Sequence, residues 1–150
     1  MKQNKKGFTL IELLAVIVIL AIIALIATPI ILSMINNARK SAAKSSTLGY
    51  VESIENYVGF YEAKQGGIED IVGYTVAPPA STVTCAKAEG AWTGTGCADF
   101  FAEVDKTTKG KAPDAATAVV IENGKLKANA TFTYGSYTYT YTGSDATLNS

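Results

Sequence analysis

One carboxylate, Glu12, stands near the start of an otherwise almost uncharged apolar run that ends at Leu32. A charge inside a membrane-length segment costs about 2.5–3.5 kcal/mol on insertion scales, so it calls for a partner or a purpose. Other reactive chemistry is sparse. The chain has no histidine, which removes Ser/His and Cys/His nucleophile pairs. It also has no metal-ligand spacing and no glycine-rich phosphate loop running into a helix. The carboxylate pairs Glu52 with Glu55 and Glu69 with Asp70 read as solvated helix and turn faces. No enzyme activity, catalytic residue, metal or cofactor is expected.

Charge and hydropathy orient the chain. Lys2, Lys5 and Lys6 precede the apolar run directly, so the positive-inside rule puts the amino terminus in the cytoplasm and the bulk outside. Phe8 to Leu32 is about 25 residues, or about 37 Å as a helix, enough to span a bilayer with some tilt. A secretory signal would have a shorter apolar core and a small-residue cleavage site, to which Ala24, Leu25 and Ala27 lend little support. Cys85 and Cys97, the only cysteines, then fall in an oxidising compartment, where a disulfide between them is expected. Closing a loop of about thirteen residues would restrain the unfolded chain by about 3 kcal/mol. Without the leader lysines, ten basic side chains face thirteen acidic ones. That balance does not favour nucleic-acid binding, which wants a basic face.

The stretch Lys6-Gly7-Phe8-Thr9-Leu10-Ile11-Glu12, behind its basic leader, resembles the class III signal of type IV pilins and of the type II secretion and competence pseudopilins. The resemblance runs from Lys5 to about Leu32, with a weaker echo to Ala42, under a third of the chain. It implies that a prepilin peptidase cleaves between Gly7 and Phe8, that Phe8 becomes N-methylated, and that the apolar segment is retained. It also implies a homopolymer extruded from the cytoplasmic membrane by a platform protein and an assembly ATPase into an extracellular filament for adhesion, motility or DNA uptake. Cleavage would make Phe8 an amine, which could pair with Glu12 within one subunit or, in a staggered bundle of helices, with Glu12 of a neighbouring subunit. Such a buried pair would select register more than it adds stability. Pro29 falls where many pilins carry a helix-breaking proline. Two alternatives stay open: a pseudopilin, and a monomeric membrane-anchored binding module.

The elements that must position these residues follow from periodicity. After Leu32, Leu48, Val51, Ile54, Val58 and Tyr61 recur at helical spacing, joined by Tyr50 and Tyr57. One helix is therefore expected from Phe8 to about Glu62, stopped by Gln65-Gly66-Gly67. Pro29 should kink it or melt Ala24 to Thr28, and Gly49 and Gly59 weaken it locally. Asn123-Gly124, between Ala118–Glu122 and Lys125–Ala128, is a two-residue hairpin turn that sets Glu122 opposite Lys125 and Ile121 opposite Leu126. Gly135-Ser136 does the same for Tyr134 opposite Tyr137 and Phe132 opposite Tyr139. One middle strand, Lys125 to Tyr134, would then put Leu126, Ala128, Ala130, Phe132 and Tyr134 on one apolar face. The alternating tyrosines read as cross-strand packing rather than a sugar platform, and no function is assigned to Asn129-Ala130-Thr131. The expected fold class is α+β, a long helix packed on a small antiparallel sheet. Its parts are a cleaved leader (1–7), a transmembrane and filament-core helix (8–32), an amphipathic continuation (33–64), a connecting loop region with the disulfide and Pro78-Pro79 (65–115), and a three-stranded meander (116–150).

Overall fold

The computed structural model describes residues 7–65, 84–122 and 124–149. The leader lysines, the Gly66-Gly67 stop, the Glu69 and Asp70 pair, Pro78-Pro79 and Asn123 of the first turn lie outside the described residues. Helix α1 spans Leu10–Gln65, 56 residues with Pro29 inside it. The fold class is α+β. The chain divides into two compact units, one up to Arg39 and one from Lys40 onward.

Among its described residues the first unit has one regular element, the first part of α1, preceded by Gly7, Phe8 and Thr9. Leucines, isoleucines and valines from Leu10 to Ile35 stand open, because no second element of this unit covers them. The segment is long and apolar enough to cross a membrane. Helical structure continues through Ala24 to Thr28, so the expected melting next to Pro29 is absent. Pro29 still removes a backbone donor one turn from Leu25. Beside it the Thr28 hydroxyl donates to the Ala24 carbonyl at 2.6 Å, a back-bond that tends to bend helices.

In the second unit the same helix becomes amphipathic. Tyr50, Val51, Ile54, Tyr57 and Val58 are buried at three- and four-residue spacing, while Glu52 and Gly59 face solvent. They pack on a six-stranded antiparallel sheet of β1 (Cys85–Ala88), β2 (Ala91–Thr93), β3 (Ala115–Val119), β6 (Thr131–Tyr134), β7 (Tyr137–Tyr141) and β8 (Ala146–Leu148), in the order β2-β1-β3-β6-β7-β8. A separate hairpin joins β4 (Ile121–Glu122) to β5 (Lys125–Leu126), and helix α2 covers Cys97–Thr107. An aromatic chain runs through the core: Tyr50 meets Phe132 at 5.7 Å, Tyr57 meets Phe100 at 5.0 Å, and Trp92 stacks on Phe101 at 3.9 Å. Each fully buried large apolar side chain contributes about 1.5–3 kcal/mol relative to exposure, so this chain of rings ties helix and sheet together.

Both hairpin registers occur, with Ile121 opposite Leu126, Glu122 opposite Lys125, Phe132 opposite Tyr139 and Tyr134 opposite Tyr137. The single middle strand does not. Asn129 turns into the left-handed region at φ 77° and separates β5 from β6, and Ala118 at φ 54° marks a register shift before β4. The sheet partner of β6 on that side is therefore β3, pairing Ala116 with Phe132, and the β4–β5 hairpin is an insertion between them. The three-stranded meander is thus replaced by a six-stranded sheet. Strands β1 and β2, together with α2, come from the segment expected to be connecting loop.

The sheet has two chemically distinct faces. The inner one carries Trp92, Ala116, Phe132, Tyr139 and Ala146, all buried. On the outer one, paired registers align Thr117, Thr131, Thr140 and Thr147 across four adjacent strands. Neighbouring hydroxyls bond each other, Thr117 to Thr131 and Thr133 to Thr138, the latter at 3.0 Å.

Candidate processing and assembly site

Gly7 and Phe8 precede the helix, and Phe8 is 89% exposed. Helix α1 begins at Leu10 because Thr9 caps it. The Thr9 backbone N–H and hydroxyl both donate to Glu12 Oε2, at 2.8 and 2.7 Å, and the Glu12 N–H donates back to Thr9 Oγ1 at 3.3 Å. This is a reciprocal capping box, Thr at the cap and Glu three residues on. Gly7 and Phe8 thereby lie outside helical structure. The carboxylate also sits at the positive pole of the helix dipole, which favours an anion there.

Glu12 therefore has a partner within its own chain, Thr9. The T-x-x-E spacing was readable in the sequence, and it explains the position of the charge without any membrane argument. The box does not exhaust the group, since an ionised carboxylate offers about four acceptor positions. Glu12 Oε2 serves Thr9, which leaves Oε1 able to receive a further donor. Pro29 lies some four to five turns further on, and the structure brings neither Phe8 nor Glu12 to it.

Cys85 in β1 and Cys97 at the first turn of α2 form a disulfide with Cα atoms 5.8 Å apart. Both residues are buried. The approach depends on Gly94 at φ 115°, where an added Cβ would lie 2.6 Å from the Cys97 sulfur and 3.0 Å from the Thr84 carbonyl oxygen. Only glycine fits that turn without displacement.

A second polar centre has no counterpart in the sequence reading. Asp105 in α2 accepts from the Tyr50 hydroxyl of α1, from Lys87 Nζ of β1 at 2.8 Å and from Trp92 Nε1 of β2 at 3.4 Å. Lys87 also lies over the Trp92 ring, 5.4 Å from its centroid. Four elements meet on one carboxylate. Burial, then the bond to Asp105, pushes the Tyr50 phenol well above its ordinary range, so it stays a proton donor. The partners are 13 to 55 residues from Asp105 in sequence, so no local spacing announces them. Their bonding is that of a structural tie between elements. Among the described residues no group of three or more His, Cys, Asp or Glu side chains could hold a metal ion.

Residues 2–28 match the prokaryotic N-terminal methylation motif. No curated protein and no solved structure matches the chain. The matched segment holds the glycine, the exposed phenylalanine, the capped glutamate and the uncovered apolar helix described above. The amino-terminal segment of this chain is a class III methylation signal, the mark of the type IV pilin and pseudopilin superfamily.

Proposed function

We propose that the chain is a structural subunit of a type IV pilus. The observation that carries this reading is a methylation motif set on a helix whose apolar side chains have no cover within their own unit. Such a surface is stable in lipid or against copies of itself, and transfer between the two keeps it out of water. The mature chain begins at Phe8, N-methylated after the peptidase hydrolyses the Gly7–Phe8 bond. Before assembly it sits in the cytoplasmic membrane with the carboxy-terminal unit outside, and afterwards in an extracellular filament driven by the platform protein and ATPase.

In the filament Glu12 faces the Phe8 amine of a neighbour. A positive amine next to the positive pole of a helix is unfavourable, and the carboxylate offsets it. Either charge left alone in a packed apolar core would be costly, so the pair fixes stagger. Pro29 gives the helix a weak point where it can loosen as it leaves the bilayer. The methylation motif is common to pilins and pseudopilins, and deletion separates them. Loss of long surface fibres from sheared cells supports the pilus, while loss of secretion or DNA uptake from cells that never bear fibres supports a pseudopilin.

A further inference from the structure

The carboxy-terminal unit holds a cavity of about 280 Å³ between α1, which supplies Gly49, Glu52, Asn56, Tyr57 and Phe60, and the chain past the end of α2, which supplies Lys109. Glu52, Asn56 and Phe60 follow one another at four-residue steps, so they form one stripe along the helix. The two ends of this groove differ. Tyr57 meets Phe100 while Tyr50 bonds Asp105, so α2 runs opposite to α1 and its last turn lies level with the start of the stripe. Lys109, two residues past α2, therefore joins Glu52 and Gly49 at one end. Phe60, 45% exposed, lies at the other end, about 12 Å along the helix from Glu52. Among the described residues no hydrogen bond or ion pair engages the side chain of Glu52, Asn56 or Lys109. An acid and a base thus share one cavity without pairing with each other. Gly49 leaves room beside them, since a Cβ there would meet nothing within 4 Å.

We propose that this groove binds a free α-amino acid with a large apolar side chain. The Glu52 carboxylate takes the α-ammonium and the Lys109 ammonium takes the α-carboxylate, both as charge-assisted bonds. Asn56, which carries donors and an acceptor on one amide, serves the same head group from the next turn of α1. The ligand side chain then runs along the helix onto the Phe60 ring, with Tyr57 beneath it. Three observations narrow the class. Opposite charges at one end match a zwitterionic head, because a simple anion or cation would leave Glu52 or Lys109 without a partner and face a like charge. The apolar far end matches a side chain that glycine and serine lack. The volume lies at the small end of the range for ligand pockets, which suits one amino acid rather than a peptide. All of these groups belong to the carboxy-terminal unit, so the site does not depend on the filament reading.

Saturation-transfer NMR on the detergent-solubilised full chain, measured against chain-free micelles with L-phenylalanine as the probe, tests the site. The parent binds phenylalanine, and at least tenfold more weakly N-acetylphenylalanine, phenylalanine amide and glycine, which lack the ammonium, the carboxylate and the side chain in turn. Glu52→Gln binds phenylalanine and N-acetylphenylalanine alike but still rejects the amide. Lys109→Gln does the converse, accepting phenylalanine and its amide alike while rejecting the acetylated form. This crossed pattern reads the two head contacts separately, which a general loss of fold would not reproduce. Gly49→Leu, more favourable in a helix than glycine, fills the head end and abolishes binding while the near-ultraviolet circular dichroism stays that of the parent. No transfer to phenylalanine from the parent, or equal binding of phenylalanine and its two capped forms, overturns the assignment. So does a Gln variant that keeps the parent's discrimination, or a Gly49→Leu chain that binds as the parent does.

Discussion

Replacing Asp105 tests whether the four-element tie stabilises the carboxy-terminal unit as its geometry implies. Lys87 is 7% exposed and Asp105 25%, so the pair is partly shielded from water. Removing one partner of a buried pair costs about 3–5 kcal/mol, because the other charge is stranded. The residual exposure of Asp105 lowers that for Asp105→Asn to about 2–3 kcal/mol, since Asn keeps an oxygen for the Tyr50 hydroxyl. Asp105→Ala also strands that hydroxyl and should cost about 3–5 kcal/mol. At about 4–8 °C per kcal/mol for a unit of this size, the Ala variant should melt at least 12 °C lower. The informative comparison is Asp105→Leu with Lys87→Met, which removes both charges. It should recover more than half of the loss. Thermal melts of the detergent-solubilised full chain, followed by near-ultraviolet circular dichroism of Trp92, read all three. An Ala variant within about 1 kcal/mol of the parent, or a double variant no better than the single, would refute the reasoning.

Three further perturbations address other parts of the molecule. Glu12→Gln keeps an acceptor for the Thr9 cap but removes the charge, so membrane levels should hold while fibre yield falls at least tenfold; normal fibres would leave capping as the only role of Glu12. Cys85→Ser with Cys97→Ser should lower stability by about 3 kcal/mol, the closure entropy of the loop, read as an earlier thermal or urea transition. Asp114 is held below the usual carboxylate range by Lys111 and the Gly135 N–H, and Asp145 by Lys44 and the Ala146 N–H. Depressed carboxyls stabilise above their unfolded pKa and lose that contribution as pH falls through the folded value. Stability should therefore decline below about pH 4, and Asp114→Asn with Asp145→Asn should flatten that decline in acid titrations.

The parts of the fold legible in the sequence are those with local rules. A two-residue turn fixes register, so both hairpin pairings could be read from Gly124 and Gly135 outward. Helical spacing likewise marks the buried positions of α1 from Tyr50 to Val58. Positive φ at Ala118 and Asn129 has no such signal, since neither residue requires it, and these two positions redirect the sheet. Strands β1, β2 and β8 are three or four residues long, too short for a period to register. Helix α2 does carry a pattern: Cys97, Phe100, Phe101 and Val104 are buried at i, i+3, i+4 and i+7, a signal masked by the Gly and Thr residues around it. At the amino terminus the motif was legible because every part stands in register within a few residues. The Thr-x-x-Glu spacing of the capping box also stood there but went unread, and it changes the account of Glu12, whose carboxylate bonds its own helix end. The Asp105 centre was not, since it exists only after four distant elements have packed.

Mass spectrometry of the amino-terminal peptide from sheared surface material tests the central claim most directly. The account predicts a peptide that begins at Phe8 with one added methyl group on its amine and runs into the intact apolar helix. A peptide beginning at Met1, recovered only from membranes, would contradict it.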